Sequence, residues 1–266
     1  MQIKQKLLGL KAMTKFDNWL QVAINRLFFT KTGCIVYRIG ELEIIVDHLG
    51  GDANGVRECL TSSMYSDLIE VIVKDGGEIR NLLDIGANGG GFTLLSCLMG
   101  LPLKQIICVE MNSHVFGRLS FNLFQNLKGI SLTLINGAIA EKSGDLEISL
   151  NRGSTGGSIL SCGGEETVQI KKLSFNDIIK LISDTTIDLC KIDVEGAEYE
   201  VIMGEECSSI TRLRYLIMEI HVVAGYTQET LILRLHNLGF IDISPTNRTE
   251  QAVYLFRNNR FPIIDI

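Results

Sequence analysis

The sequence predicts a doubly wound α/β domain built on a mostly parallel β-sheet. From residue 81 onward, short apolar segments alternate with segments of helical periodicity, and acidic or imidazole side chains recur where the apolar segments end. Such alternation favours parallel strands with helices on both faces of the sheet. The segments at 187–192 and 216–220 are largely apolar, as expected of strands buried on both faces.

The pattern places the elements of this sheet in chain order. Strands are expected near residues 81–86, 105–110, 131–136, 187–193, 214–221, 240–244 and 251–256. Helices are expected near residues 91–99, 113–126, 174–183, 197–203 and 228–238. Upstream, two short strands near 33–38 and 42–46 precede a helix near 66–73. We therefore divide the chain into a helical and hairpin extension, residues 1–65, and a main domain, residues 66–266.

Composition excludes several classes of protein. The net charge of −6 argues against general nucleic-acid binding, which needs a basic face. No apolar run reaches the roughly 18 residues that span a bilayer, and no secretory signal is recognisable at the N-terminus. Seven cysteines without a C-x-x-C pair indicate neither a disulfide framework nor a zinc knuckle. A cytoplasmic protein is the simplest expectation, and the oligomeric state stays open.

The N-terminal segment is basic and has apolar residues at nearly helical spacing. Residues 1–31 contain six Lys or Arg residues and one acid, Asp17. A helix that covers part of the core is the preferred interpretation. The alternative is weak peripheral contact with an anionic membrane through a basic amphipathic helix.

The most informative segment is 82–91, which reads LLDIGANGGG: a buried strand, a glycine turn and the start of a helix. Glycines allow close approach of a ligand to the backbone, and the helix start carries unpaired N–H groups. Asn88 stands where a dinucleotide fingerprint needs its second glycine, and a nucleoside-triphosphate loop is absent from the sequence. Asp84 would repel a pyrophosphate but attract an ammonium group. Glu110, after the next strand, is placed to bind ribose hydroxyls. This combination favours S-adenosylmethionine over NAD as the cofactor.

Two further groups of polar residues follow later strands. Lys191 and Asp193 belong to the segment KIDVEGAE, and Glu219 and His221 belong to MEIH. Because carboxyl ends of parallel strands meet at one edge of the sheet, we expect Asp84, Glu110, Asp193 and His221 to converge. A carboxylate or imidazole there could act as a general base. Asp193, Glu219 and His221 could also bind a divalent metal, although their spacing carries no metal signature.

A polar, glycine-rich loop at 151–158 separates two possible strands at 146–150 and 168–171. Long loops in compact domains are often functional or mobile. We interpret this one as a candidate lid or substrate loop, with a flexible insertion as the alternative.

Taken in order, five motifs resemble the FkbM family of S-adenosylmethionine-dependent methyltransferases. They are LLDIGANGGGFTL, VEMNSHVFGRLSFNLFQN, NGAIAEKSGDLEI, DLCKIDVEGAEYEVIMG and LIMEIH, and they cover residues 81–221. The resemblance implies the Rossmann-like class I methyltransferase fold: a seven-stranded, mostly parallel sheet with helices on both faces and one antiparallel strand near the C-terminus.

The resemblance also implies roles for individual positions. Asp84, Gly86, Asn88 and the adjoining Gly89 would hold the methionine end of the cofactor, and Glu110 the ribose. The family often has proline after the ribose acid, whereas Met111 follows Glu110 here, so the local turn differs. Asn136 to Ala138 would lie by the adenine, and Asp193 to Glu198 and Glu219 to His221 would border the acceptor. Lys191 is a further candidate from the residues themselves, because a charge in a buried strand needs a partner.

The function expected from this reading is O-methylation of a hydroxyl on a small molecule or glycan. Asp193 or His221 is the expected base, with a bound metal as the alternative means of activating the hydroxyl. The competing hypotheses are a cofactor-binding scaffold without catalysis and a nicotinamide-dependent oxidoreductase.

Overall fold

The computed structural model describes residues 13–28, 33–50, 52–150, 166–182, 184, 186–204, 207–246 and 252–261. Its strands are β1 (Cys34–Ile39), β2 (Leu42–Asp47), β3 (Asn81–Ile85), β4 (Gln105–Glu110), β5 (Ser131–Asn136), β6 (Ala138–Ala140), β7 (Gly144–Leu150), β8 (Glu166–Ser174), β9 (Ile187–Ile192), β10 (Leu213–Glu219), β11 (Phe240–Asp242) and β12 (Val253–Asn258). Its α-helices are Trp19–Phe28, Asp52–Thr61, Met64–Lys74, Gly91–Leu98, Ser113–Asn126, Phe175–Ile179, Glu198–Met203 and Gln228–Asn237, and a 3₁₀-helix covers Ser208–Arg212.

Seven strands form the central sheet in the order β11-β12-β10-β9-β3-β4-β5. β12 runs antiparallel to the other six strands of this sheet. The predicted fold class is therefore confirmed. Ile85, at the end of β3, is paired with Val109 of β4 and with Ile192 of β9. This register brings the residues that follow the three central strands to the same edge of the sheet.

The sheet is buried on both faces, because successive strand residues point to opposite sides. Leu82 and Ile106 pack into a core that also contains residues of the β1–β2 hairpin, such as Tyr37 and Ile44. Leu83 and Ile107, one position further, pack into a second core on the other face. Burial on both faces explains why these strands are continuously apolar in sequence.

The N-terminal helix Trp19–Phe28 covers the first of these cores with one face only. Val22 is fully buried there, and Phe16 just before the helix packs on Tyr37 with ring centroids 4.6 Å apart. Leu20, Ile24 and Phe28 of the same helix are exposed. Covering the core thus accounts for only some of the apolar residues described in this segment.

Two features of this region differ from the expectation. The segments near 146–150 and 168–171 pair as β7 and β8, but β6 joins them in a separate three-stranded sheet. A strand of three residues is too short to show a period of two. The helix expected at 174–183 ends at Ile179, where turn-type bonds from Leu181 and Ile182 replace the helical pattern. The loop at 151–158 lies outside the described residues.

The helix Asp52–Thr61 was not expected, because Asn54 and Gly55 lower its intrinsic helix propensity. It packs against the helix Gly91–Leu98, where a side-chain carbon on Gly91 would lie 2.9 Å from the Cα of Val56. Tertiary packing of this kind overrides a weak local preference.

Among the described residues, no helix combines the length and apolar character that crossing a bilayer requires. The six cysteines within the described ranges are free thiols.

Candidate active site

A cavity of about 240 Å³ lies at the carboxyl edge of the sheet, where β3, β4, β9 and β10 end. The turn after β3 lines it through Gly86, Ala87 and Asn88. Other parts of the wall come from distant segments: Gly55, Glu58, Cys59, Glu110, Met111, Gly137, Ala138, Lys191, Asp193, Glu195 and Glu219. Ligands of open α/β sheets bind at this edge.

The glycine turn is shaped by positive φ angles and by close approach of another strand end. Gly86 and Gly90 have φ of 76° and 89°, and Asn88 has φ of 50°. The backbone N–H groups of Gly86 and Ala87 both donate to the carbonyl of Val109, over 3.0 Å each. A side-chain carbon on Gly86 would collide with the carbonyl of Asp193. Glycine is required here by both conformation and space.

Glu110 is held by two backbone donors. Its Oε2 accepts from the N–H of Asn88 over 2.9 Å, and its Oε1 accepts from the N–H of Asn112 over 2.8 Å. Burial raises the pKa of the Glu110 carboxyl, and these two N–H groups oppose that effect. Each oxygen of a carboxylate can accept a second hydrogen bond. Glu110 can therefore receive two ribose hydroxyls while remaining fixed to the glycine turn.

Asp84 lies beneath the cavity and not in its lining. Its Oδ2 accepts from the hydroxyl of Thr93 over 2.8 Å, and its Oδ1 has no hydrogen-bond partner within the described structure. Burial raises the pKa of the Asp84 carboxyl, against the opposing influence of Lys191 and Thr93. Asp84 is connected to the cavity through its ion pair with Lys191, which is part of the lining.

Lys191 is a buried cation that joins the ends of β3 and β9. Its Nζ donates to the carbonyl of Gly86 over 2.8 Å and lies 3.1 Å from Oδ2 of Asp193 and 3.7 Å from Oδ1 of Asp84. Burial alone would lower the pKa of Lys191, but the two carboxylates outweigh burial and raise it. A charged lysine inside the sheet is stable because it has these partners.

His221 is fixed by the buried carboxylate of Glu198, at the start of the helix Glu198–Met203. Nδ1 of His221 donates to Oε1 of Glu198 over 2.9 Å, so Nε2 faces the acidic side chains at the strand ends. Nε2 lies 3.5 Å from Glu195 and 3.8 Å from Glu219. Burial would lower the pKa of His221, but the hydrogen bond and charge of Glu198, with the other acids, raise it to about 9. The imidazole is therefore protonated at neutral pH.

Glu219 lines the cavity, and the pKa of its carboxyl group is close to neutral pH. Burial and the neighbouring charge of Asp193 raise its pKa to about 7, while His221 opposes the shift. Asp193, Glu219 and His221 each offer a ligand atom within 4.8 Å of the others, a geometry that could also hold a metal ion. Glu195, with φ of 53°, turns the chain so that its side chain joins this group.

Negative charge is in excess among the described residues around these strand ends. The carboxyl groups belong to Asp84, Asp193, Glu195, Glu198 and Glu219, and the cations are Lys191 and His221. A cationic ligand such as a sulfonium nucleoside matches this imbalance. A ligand with several phosphates would be repelled.

The structure brings most of the sequence-predicted residues to the cavity. Eight of them line it: Gly86, Asn88, Glu110, Met111, Ala138, Lys191, Asp193 and Glu219. Four are not part of the lining: Asp84, Gly89, Asn136 and His221. Asn136 donates to the carbonyls of Glu110 and Met111 over 2.9 and 3.0 Å, and so holds the chain where it leaves β4.

Sequence reasoning missed the residues that support the site. The side-chain amide of Asn122 donates to the carbonyls of Gly89 and Ile45 over 2.9 Å each, and its oxygen accepts from the N–H of Ile45 over 2.8 Å. The hairpin is thereby joined to the glycine turn. A polar Asn on the buried side of an amphipathic helix was the available signal. Thr93 offered a weaker one, as a polar residue in the first turn of an apolar helix.

A family model described as Methyltransferase FkbM domain matches residues 84–241. Hexuronic acid methyltransferase AglP of Haloferax volcanii is 25% identical over 193 residues, covering 73% of this chain and 77% of that protein. The 31-O-demethyl-FK506 methyltransferase FkbM of Streptomyces tacrolimicus is 27% identical over 216 residues, covering 69% and 80%. The crystal structure of Methyltransferase FkbM from Methylobacillus flagellatus has 16% identity and a TM-score of 0.42, covering 68% of this chain and 44% of that one.

Proposed function

The chain belongs to the FkbM family of S-adenosylmethionine-dependent methyltransferases, and on that premise we propose that it methylates a hydroxyl group of a small molecule or glycan. The observation that carries the proposal is Glu219, a cavity-lining carboxyl group with a pKa of about 7. A hydroxyl acceptor must lose its proton as it is methylated, and a base with a pKa near the working pH is the most effective.

The residues of the cavity fit the cofactor of this family. Glu110 offers two fixed oxygens to the ribose hydroxyls, and Gly86 leaves the backbone of the turn open to close approach. The excess of carboxylates around Lys191 and His221 favours a cation. When bound, S-adenosylmethionine supplies an electrophilic methyl group on a positively charged sulfur.

We assign the role of base to Glu219 rather than to His221. At neutral pH the imidazole of His221 is already protonated, because its pKa is about 9, so it cannot accept another proton. Its charge instead favours the ionised form of Glu219, whose Oε1 lies 3.8 Å away. Asp193 lines the same cavity but forms an ion pair with Lys191 over 3.1 Å.

The acidic lining also favours a neutral acceptor over an anionic one. A carboxylate acceptor needs no base and would be repelled by Asp193, Glu195 and Glu219. The names of two relatives are consistent with an oxygen acceptor: a 31-O-demethyl compound offers a hydroxyl, whereas a hexuronic acid offers both hydroxyls and a carboxylate. We therefore expect methyl ethers and not methyl esters as products.

The extension has a place in this proposal. We propose that residues 1–65 form an addition to a methyltransferase domain of residues 66–266 and complete its cofactor cavity. Gly55, Glu58 and Cys59 supply part of the lining, and Asn122 joins β2 to the glycine turn.

The test is methyl transfer from isotopically labelled S-adenosylmethionine to a panel of sugars, sugar acids and polyols, with and without EDTA. We expect a labelled product that resists mild alkali and forms in the presence of EDTA. A product that releases methanol in alkali would identify a carboxylate acceptor instead. Strict dependence on added Mg²⁺ or Mn²⁺ would replace Glu219 as base by a metal at Asp193, Glu219 and His221.

A further inference from the structure

An apolar stripe runs along the outer face of the N-terminal helix. Leu20, Ile24 and Phe28 are 56%, 42% and 75% exposed. Their spacing of four residues places them on one side of the helix. Val22 and Ala23, on the other side, are buried at 0% and 7% exposure. The helix is thus apolar on two faces, and only one of them has a place in the core.

The helix is attached to the domain, so the stripe is held outward. The side chain of Asn18 donates to the carbonyl of Val36 over 2.8 Å and accepts from the N–H of Arg38 over 3.0 Å. Asp17 accepts from the N–H of Gly40 over 2.8 Å. These bonds fix the helix start to the β1–β2 hairpin, and Phe16 and Val22 are buried in the core.

Charge is distributed very unevenly between this segment and the rest of the chain. Residues 1–31 contain six basic residues and one acid, a net charge of +5, whereas the whole chain carries −6. The remainder therefore carries −11. The basic residues are Lys4, Lys6, Lys11, Lys15, Arg26 and Lys31. An anionic surface would attract this end of the molecule and repel the rest, which orients the molecule.

We propose that the helix Trp19–Phe28 binds the surface of a bilayer that contains anionic lipids. Leu20, Ile24 and Phe28 enter the boundary between headgroups and acyl chains, and Lys15, exposed just before the helix, contacts the anionic headgroups. The three side chains described on this stripe offer too little area for a stable protein interface, which buries roughly 800 Å² on each partner. A bilayer has no such requirement, because shallow insertion and charge act together.

Trp19 makes the proposal testable with the unmodified protein. It is the only tryptophan of the chain, it starts this helix, and it is 37% exposed. Vesicles of phosphatidylcholine with about a third phosphatidylserine should shift its fluorescence to shorter wavelength. Brominated lipid in the same vesicles should quench it. We expect neither effect with pure phosphatidylcholine. An unchanged spectrum with anionic vesicles would overturn the proposal.

Co-sedimentation of the full chain with the same vesicles tests the individual residues. Leu20→Ser, Ile24→Ser and Phe28→Ser combined should abolish binding, whereas Leu233→Ser, at a site 59% exposed on another helix, should leave it unchanged. Lys15→Gln should weaken binding about fivefold, the effect of one basic residue near an anionic surface. The matched control, Lys104→Gln, removes an exposed charge elsewhere and should have no such effect. Binding should also weaken as salt is added.

Sedimentation velocity separates the lipid surface from a second copy of the chain. We expect the same oligomeric state for the wild type and the triple variant. Self-association that disappears in the triple variant, together with equal binding to neutral and anionic vesicles, would assign the stripe to a dimer interface. If the triple variant unfolds, the fluorescence of the wild-type chain still decides the question.

Discussion

One carboxylate oxygen of Glu198 accepts from both the backbone N–H and the Nδ1 of His221, over 2.7 and 2.9 Å. Its other oxygen accepts from the N–H of Gly196 over 2.8 Å. Glu198 is fully buried, so these contacts act in a weakly polar environment. They fix the orientation of the imidazole and hold its proton to high pH.

The first prediction concerns the proton of His221. Glu198→Gln keeps the shape of the side chain but removes its charge, so the pKa of His221 should fall from about 9 toward its ordinary value. NMR titration of the imidazole nitrogens measures this directly. His48, which contacts Tyr37 far from Glu198 in sequence, serves as the internal reference and should not move. A His221 pKa that is unchanged in the variant would show that Glu198 does not control it.

The imidazole of His221 also makes the free energy of unfolding depend on pH. Folding raises the pKa of His221, so the protonated imidazole stabilises the folded state. This stabilisation is complete below the pKa of the unfolded chain, near 6.5, and is lost as the pH rises through about 9. The loss between pH 6 and 10 should be on the order of 3 kcal/mol in the wild type. Urea denaturation at several pH values measures it, and the curve should be flatter for Glu198→Gln. Equal slopes for the two proteins would contradict the assignment.

Glu219 should determine how the activity falls at the acidic limb of the pH–activity profile. A general base must be ionised, so kcat/KM for methyl transfer should rise with pH through about 7. Glu219→Gln should lower kcat by about 10²–10⁴ and remove this limb, while binding of S-adenosylmethionine remains measurable by calorimetry. If the limb persists in Glu219→Gln, another group is the base.

Glu110 should control affinity for the cofactor. Glu110→Ala removes an ionised acceptor of two ribose hydrogen bonds and leaves the N–H groups of Asn88 and Asn112 without their partner. Each hydrogen bond to a charged group contributes about 1.5–3 kcal/mol, so the Kd should increase at least about tenfold. Glu41→Gln, at an exposed position on the β1–β2 turn, is the charge-matched control. Calorimetric titration distinguishes the two, and equal affinities would remove Glu110 from the binding site.

Lys191 should be essential to the fold because it neutralises buried acids. Lys191→Met leaves the buried carboxyl group of Asp84 without its cation, and breaking a buried pair from one side costs about 3–5 kcal/mol. The double variant Asp84→Asn, Lys191→Met should recover part of this loss, since the stranded charge is also removed. Chemical denaturation of the two variants gives the comparison. A double variant less stable than Lys191→Met would show that the two residues are not coupled.

Alanine substitutions at Gly86 and Gly100 separate the cost of backbone conformation from the cost of a steric collision. Both have φ of 76°, but a side-chain carbon on Gly86 would collide with the carbonyl of Asp193, whereas Gly100 has open space around it. Gly100→Ala should cost about 1 kcal/mol of unfolding free energy, the cost of the conformation alone. Gly86→Ala should cost clearly more and weaken cofactor binding. Thermal melts and titrations test both, and equal losses would mean that the close approach is unimportant.

The strands of the central sheet, and the residues at their carboxyl ends, can be identified from the sequence pattern alone. Apolar runs such as those ending at Ile85 and Ile192 identify central strands, because a strand buried on both faces tolerates little else. The residues that follow these strands, among them Glu110 and Asp193, were then identifiable as a group, because parallel strands end at one edge. The LLDIGANGGG and KIDVEGAE strings are sufficient to identify the family.

Which of those residues line the cavity, and what pKa values they have, depends on the tertiary structure. Asp84 proved to lie under the cavity and Glu219 in its lining, a difference that depends on which strand ends surround them. The pKa values of His221 and Glu219 arise from neighbours on several elements and from burial. The wall formed by Glu58 and Cys59 comes from a helix with little intrinsic preference to form. Periodicity records which face a residue takes, but distances between segments far apart in the chain are set by packing, and electrostatics follows those distances.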